Sequence, residues 1–331
     1  MRTSLSYRPG RVNSQFLRRS LAVVARREAL RRRLARDRFK RMAKKPLALK
    51  IIPLLFAWGA ATSLARGADC DRECLRGFVT QYLSAMAAHN PDALPLASNV
   101  RFTEDAKEIK LGNGLWKNVS KIATYRQDIL DVRQGMAASQ VIVEEAGTPV
   151  MLVLRLKIAD KKISEIETQV TRNRSDGAIF NISAIQTPSK AMNLVPERAQ
   201  LNSREEAAKI AQSYPAGLKV GSFVEVDAPF APDAYRLENG SIMAGPGCSR
   251  PGCENIKAQN IIKHPAITTR VAAVDEELGI VLLRMNFGDT GSYGQGNALI
   301  VWEAFKVYGG QIHAVEAFMK VLPASMGSGW D

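Results

Sequence analysis

Histidine is scarce in this sequence: only His89, His264 and His313 occur among 331 residues. None lies at the spacing of a metal-binding pair, so zinc-dependent hydrolysis has no support. Also missing are the Gly-x-Ser-x-Gly turn of serine hydrolases, a Walker loop, and a Gly-x-Gly-x-x-Gly run following a strand. The stretch from Gly291 to Gly296 is glycine-rich, but it lies between β-like segments and reads as a hairpin loop. The apolar run 51–64 has 14 residues, whereas a membrane span needs about 20. A basic surplus is missing from the body of the chain as well. The formal charge is +14, yet residues 1–50 alone hold 17 Lys and Arg against Glu28 and Asp37, which leaves the remainder at −1. Phosphate neutralisation needs a basic face, so no nucleic-acid partner is expected.

The basic leader and the apolar run have a simpler reading. Lys44, Lys45 and Lys50 flank the run, and Ala65-Arg66-Gly67 supplies small residues for cleavage, as in a secretory signal peptide. Residues 42–67 make a complete signal segment, so 1–41 reads as a basic extension or a misassigned start, with maturation near Ala68. A periplasmic or secreted location follows, with membrane contact only through the signal segment if it is uncleaved. All four cysteines, Cys70, Cys74, Cys248 and Cys253, lie beyond the cut. An even count in an oxidising compartment points to disulfides. Of three pairings, Cys248 with Cys253 is favoured because the two bracket a loop rich in Gly and Pro, which leaves Cys70 with Cys74. Thiolate zinc is the rival reading; neither spacing is the tight Cys-x-x-Cys, and no metal or cofactor is expected.

The clearest internal signal is repetition. Lys157-Ile158, Ile163 and Ile166-Glu167 recur at the same spacing as Lys306-Val307, Ile312 and Val315-Glu316, each set bracketing a polar turn. Alternation around the turns predicts β-hairpins in sheets with one covered face. Each copy opens on a helix. Leu75, Phe78, Val79, Tyr82, Leu83 and Met86 fall on one face of the first, and Ala207, Ile210, Ala211 and Tyr214 on one face of the second. Ser203 and Glu206 form a capping box, while Pro215 and Gly217 are expected to end or kink the second helix early. Segments 99–104 and 234–239 each lead an Arg into the sheet. Residues 186–202, with Pro188 and Pro196, read as a linker between a first domain at 70–185 and a second at 203–331. The tail from Pro323 is expected to cover the second domain's edge.

Several motifs in this order carry a family resemblance: Arg101-Phe102-Thr103-Glu104, Gly112-Asn113-Gly114-Leu115-Trp116, Tyr125-Arg126, Arg236-Leu237-Glu238-Asn239, 274–279 and Ser328-Gly329-Trp330. Together they resemble the nuclear transport factor 2-like superfamily, and within it the SnoaL-like branch, in a secreted tandem-domain form of unknown function. The resemblance spans most of 70–331. It implies an α+β fold of two cone-shaped domains, each a curved antiparallel sheet wrapped around N-terminal helices, with the two copies forming an internal pseudo-dimer. Function does not follow from such a fold, which serves isomerases, lyases and plain binding modules alike.

A pocket of this type works by holding an ionisable group in an apolar cone, where desolvation prepares it for proton transfer. In the first copy Asp128 and Glu167 are the candidate proton shuttles, with Tyr125 as a catalytic partner that stabilises an oxyanion. Tyr82, Arg101, Trp116 and Arg126 are candidate substrate-binding residues, Trp116 packing on a flat molecule. Bland alternatives stand beside each: Tyr82 as core, Arg101 with Glu167 as an ion pair, Arg126 and Asp128 on a solvated edge. The second copy offers Tyr214, Arg236, His264, Arg270, Glu303, His313 and Glu316, with His264 placed in a loop by Pro265. The first copy is preferred as the working pocket. The functional expectation is a cofactor-independent isomerase or lyase acting on a small hydrophobic molecule; the alternative is a non-catalytic binding protein using the same cones.

Overall fold

The structure, a computed structural model, describes residues 70–327, 329 and 330. The predicted basic extension and signal segment lie outside the described residues. The chain opens with α1 (Arg72–Ala87). Asp71 caps it by accepting from the Cys74 amide at 2.8 Å, and the Cys70–Cys74 disulfide closes the same turn. The predicted stripe of Leu75, Val79, Tyr82, Leu83 and Met86 is buried, and each large apolar side chain gains about 1.5–3 kcal/mol from leaving water. Six strands follow: β1 (Leu96–Glu104), β2 (Lys107–Glu108), β3 (Val119–Asp131), β4 (Met136–Glu145), β5 (Thr148–Ala159) and β6 (Lys162–Thr171). Two short helices, α2 (Arg174–Gly177) and α3 (Lys190–Asn193), then lead to α4 (Arg204–Val220). A second set of strands completes the chain: β7 (Phe230–Glu238), β8 (Ser241–Ala244), β9 (Thr268–Asp275), β10 (Ile280–Asn286), β11 (Asn297–Tyr308) and β12 (Gln311–Pro323).

The two six-stranded sheets have one topology, β2-β1-β6-β5-β4-β3 and β8-β7-β12-β11-β10-β9. The two-copy α+β architecture implied by the resemblance is therefore the one found, with a helix ahead of each sheet. Each sheet is mixed, because β1 runs parallel to β6 and β7 parallel to β12. The repeated hairpins share their turn as well. Asp160 and Lys161 in one, Gly309 and Gly310 in the other, all have positive φ, the two-residue turn that matches strand twist. A bulge follows at equivalent places, between Lys157 and Ile158 and between Lys306 and Val307.

The second helix departs from expectation. Rather than ending early, α4 runs straight through Pro215 to a left-handed cap at Gly221. Its start is fixed by the predicted Ser203–Glu206 capping box, and a proline removes only one backbone donor when tertiary packing holds the rest. Gly217 is required for that packing, since a Cβ there would meet the Phe223 ring at 2.4 Å.

One apolar cluster fills the space between α1 and the first sheet, and another lies between α4 and the second. A third joins the outer faces of both sheets, with Tyr125, Ile129 and Met151 from one against Leu282, Trp302 and Phe318 from the other. Its polar contacts are reciprocal. Asp131, at the end of β3, accepts from the Val274 amide at 2.9 Å and from Arg204 at 2.8 and 2.5 Å. Asp275, at the end of β9, accepts from the Leu130 amide at 3.0 Å and from Arg72 at 2.6 Å. Each aspartate thus holds the other sheet's backbone and the first residue of the other copy's helix, the exchange expected at a two-fold interface. The segment between the sheets is also held, because the buried Lys306 ammonium donates to the carbonyls of Met192, Leu194 and Leu278. The tail bonds the second sheet, where the Gly327 carbonyl accepts from Arg284 of β10 at 3.2 Å, and then runs on to the first. Trp330 donates to Thr103 Oγ1 at 2.8 Å, with the Arg101 guanidinium 4.5 Å above its ring.

Candidate functional site

The second unit contains a cavity of about 400 Å³, walled by α4, β7, β11 and the loops around the Cys248–Cys253 disulfide. Its polar core comes from three elements. Alternation along β11 sends Leu299, Val301, Phe305 and Val307 into the apolar cluster against α4, and Glu303 shares their parity. Only 3% of Glu303 is exposed. Tyr214 enters from α4 and Arg236 from β7, where Arg236 Nη1 donates to the Tyr214 hydroxyl at 3.1 Å. Arg236 Nε lies 2.8 Å from Glu238 Oε1, an ion pair by proximity whose N–H is not aligned on that oxygen.

The electrostatics follow from this burial. Desolvation pushes the Glu303 carboxyl up to about 8, Glu238 adds to the rise, and Arg236 and Tyr214 oppose it. Burial likewise pushes the Tyr214 phenol well up, so it stays a proton donor. For Arg236 burial favours the neutral form, but Tyr214, Glu238 and Glu303 more than offset it and hold the guanidinium charged. The outer wall is aromatic. Tyr293, from the predicted glycine-rich loop, faces His264 at 6.1 Å between ring centroids, and Phe287 packs on His264 at 4.6 Å. A carboxyl that titrates near neutrality beside a phenol and a guanidinium can move a proton while the pair stabilises a developing oxyanion.

In the first unit the same space is filled. The hairpin repeat aligns Leu154, which pairs with Thr168, to Glu303, which pairs with Ala317. Leu152, Leu154 and Leu156 belong to its apolar cluster together with Tyr82 and Trp116. Tyr82, the counterpart of Tyr214, accepts from Trp116 Nε1 at 2.9 Å, and the two rings meet edge to face. A guanidinium thus serves the helix tyrosine in one copy and an indole in the other, which leaves one cone open and the other packed. A groove of about 570 Å³ borders Glu104 at the first sheet's edge, but that carboxylate is already engaged by the Leu115 amide at 3.0 and 3.2 Å.

The structure brings the first copy's candidates together only in separate pairs, Tyr82 with Trp116 and Asp128 with Arg126. Asp128 holds Arg126 at 2.8 and 2.9 Å and accepts from Ser139 at 2.9 Å. Arg126 also reaches Thr80 and the Arg76 carbonyl, tying β3 to α1. Glu167 follows the inward Ile166 on β6 and so faces the other sheet, whose Arg270 bonds it at 2.7 Å, while Arg155 of the neighbouring β5 bonds it at 3.3 Å. Tyr125 is also on the inter-sheet face, stacked on Phe318 with its hydroxyl 3.5 Å from Glu316. Arg101 is partly exposed, bonded to Glu108 at 2.9 Å and covered by Trp330. Tyr214, Arg236, Glu303 and His264 were legible as second-copy candidates. Glu238, Gln259 and Tyr293 were not singled out as site residues; the sequence signal for Glu303 is an acid breaking the apolar alternation of β11 where the first copy has Leu154.

Residues 200–319 match the family described as "Domain of unknown function (DUF8021)". No curated protein matches the chain. Among solved structures, the chain is similar to a de novo designed protein with a curved β-sheet, at 19% identity over 30% of this chain and 87% of that one, with a TM-score of 0.26. It is similar also to AclR, a putative hydroxylase from Streptomyces galilaeus, at 13% identity over 30% and 79%, with a TM-score of 0.25. A third is an NTF-2 like protein of unknown function from Burkholderia xenovorans LB400, at 12% identity over 30% and 84%, with a TM-score of 0.22.

Proposed function

We propose that this is an exported SnoaL-like protein of the nuclear transport factor 2-like type whose second unit takes up a small, largely apolar molecule and moves a proton on it without a cofactor. The observation that carries the reading is Glu303, a buried carboxyl on the wall of the second unit's cavity, beside Tyr214 and Arg236. In this reading Glu303 abstracts a proton from the carbon next to the carbonyl of a β,γ-unsaturated ketone and returns it at the γ-carbon as the double bond moves into conjugation, while Tyr214 and Arg236 hold the dienolate oxygen. A carboxyl near 8 is matched to that task at neutral pH, and activity would rise with pH as the carboxylate forms. The two disulfides support an oxidising compartment.

The test is deuterium exchange. The purified chain is incubated in D₂O with small enolisable ketones such as 1-tetralone and 2-cyclohexenone, and wash-in is followed by NMR. Exchange above buffer that disappears in Glu303→Gln supports the isomerase or lyase reading. Ketones that bind in the cavity without any exchange would leave a non-catalytic binding protein.

A further inference from the structure

The cavity wall carries a second polar pole, His264 and Gln259, for which the proton-transfer reading has no use. His264 is 4% exposed, lines the cavity, and its Nδ1 is buried with no hydrogen-bond partner. Its position is set by the backbone, since its amide donates to the Leu218 carbonyl at 2.8 Å and its carbonyl accepts from Ile267 at 3.2 Å. Gln259 lines the same cavity. Its Nε2 donates to the Met243 carbonyl at 3.0 Å. A carbonyl can only accept, so this contact fixes which way the amide points, and Oε1 is the atom left buried and unmet.

Buried polar atoms in native proteins are nearly always paired, so two unmet ones on residues that line one cavity call for a partner. Desolvation keeps the His264 ring neutral, so it offers one donor and one acceptor nitrogen. Gln259 Oε1 can only accept. With the proton on His264 Nδ1, a single group that donates to Gln259 and accepts from His264 must both give and take hydrogen bonds, which a hydroxyl does and an ether, halogen or methyl does not. The loops carrying this pole, between β8 and β9, also contain the Cys248–Cys253 bridge, which restrains the cavity wall.

We infer that His264 and Gln259 form a specificity subsite for a hydroxyl group, so that the ligand carries both a carbonyl, held at Tyr214 and Arg236, and a hydroxyl, held at His264 and Gln259. This rests on the cavity being a ligand site, as proposed above. The test uses a matched set, 1-tetralone against its 5-, 6- and 7-hydroxy derivatives, with binding measured by titration calorimetry on the whole chain. One hydroxy isomer is expected to bind about tenfold tighter than 1-tetralone, the size of one well-made buried hydrogen bond. In His264→Phe and in Gln259→Leu that ratio is expected to fall below about twofold, with the thermal midpoint of each variant recording that it is folded. If 1-tetralone binds and no hydroxyl position improves on it, or the advantage survives both variants, the subsite is refuted while the cavity reading stands. If no member of the set binds, the cavity reading fails and takes the subsite with it.

Discussion

Glu303→Gln should change the pH dependence of stability in a defined direction. The carboxyl ionises near 4.5 in its ordinary state and near 8 in the folded protein, chiefly because burial disfavours the charge. Between those values the unfolded chain releases the proton and the folded chain keeps it, so stability falls as pH rises. The span is about 3.5 pH units, and at about 1.36 kcal/mol per unit the loss is roughly 5 kcal/mol, to be read as an order of magnitude. Glutamine has the shape of the protonated acid and no charge to bury. The variant should therefore match the wild type near pH 4.5 and exceed it by several kcal/mol above pH 8. Urea unfolding of both proteins at half-unit steps from pH 4.5 to 8.5 reads this out, and taking the difference removes the other titrating groups. Parallel curves across that range would refute the claim that Glu303 is held neutral by burial. Such a penalty, present in the resting protein, is what a site selected for proton transfer tolerates.

The reciprocal aspartates make a second test. Asp131→Ala leaves Arg204 and the Val274 amide without their partner, and Asp275→Ala does the same to Arg72 and the Leu130 amide; each should cost about 3–5 kcal/mol. A loss under about 1 kcal/mol in denaturant unfolding would show that the inter-sheet exchange is incidental. Trp330→Ala removes a bond to Thr103 and a stacked Arg101, for about 1–2 kcal/mol in total. Faster hydrogen exchange confined to β1 is expected, and unchanged exchange there would mean the tail is not docked.

Much of the architecture was legible in the sequence because local rules generate it. Hairpin turns, the apolar stripe of α1, the capping box at Ser203 and the cysteine pairings all depend on neighbours within a few residues, and the structure contains them. Repetition at fixed spacing then made two equivalent sheets the natural outcome. Where the reading failed, distant packing decided. Pro215 did not end α4, because contacts along the whole helix outweigh one lost hydrogen bond. Trp330 crossed to β1 because the first sheet presents Thr103 and Arg101 there.

The candidate site shows the same division. Periodicity assigns residues to the two faces of a strand but does not say which face meets a helix and which meets another sheet. Glu167 and Tyr125 are inter-sheet contacts for that reason, although both look like pocket residues in sequence. The sequence by itself determined two copies of one α+β unit through their repeat, and their hairpins, the capping box of the second helix and the disulfides, since each of these three is encoded within a short span. Only the tertiary structure decided that the first cone is packed by Leu154 and Trp116 while the second stays open around Glu303, because an empty volume is a property of side chains brought together from α4, β7, β11 and the loops between β8 and β9.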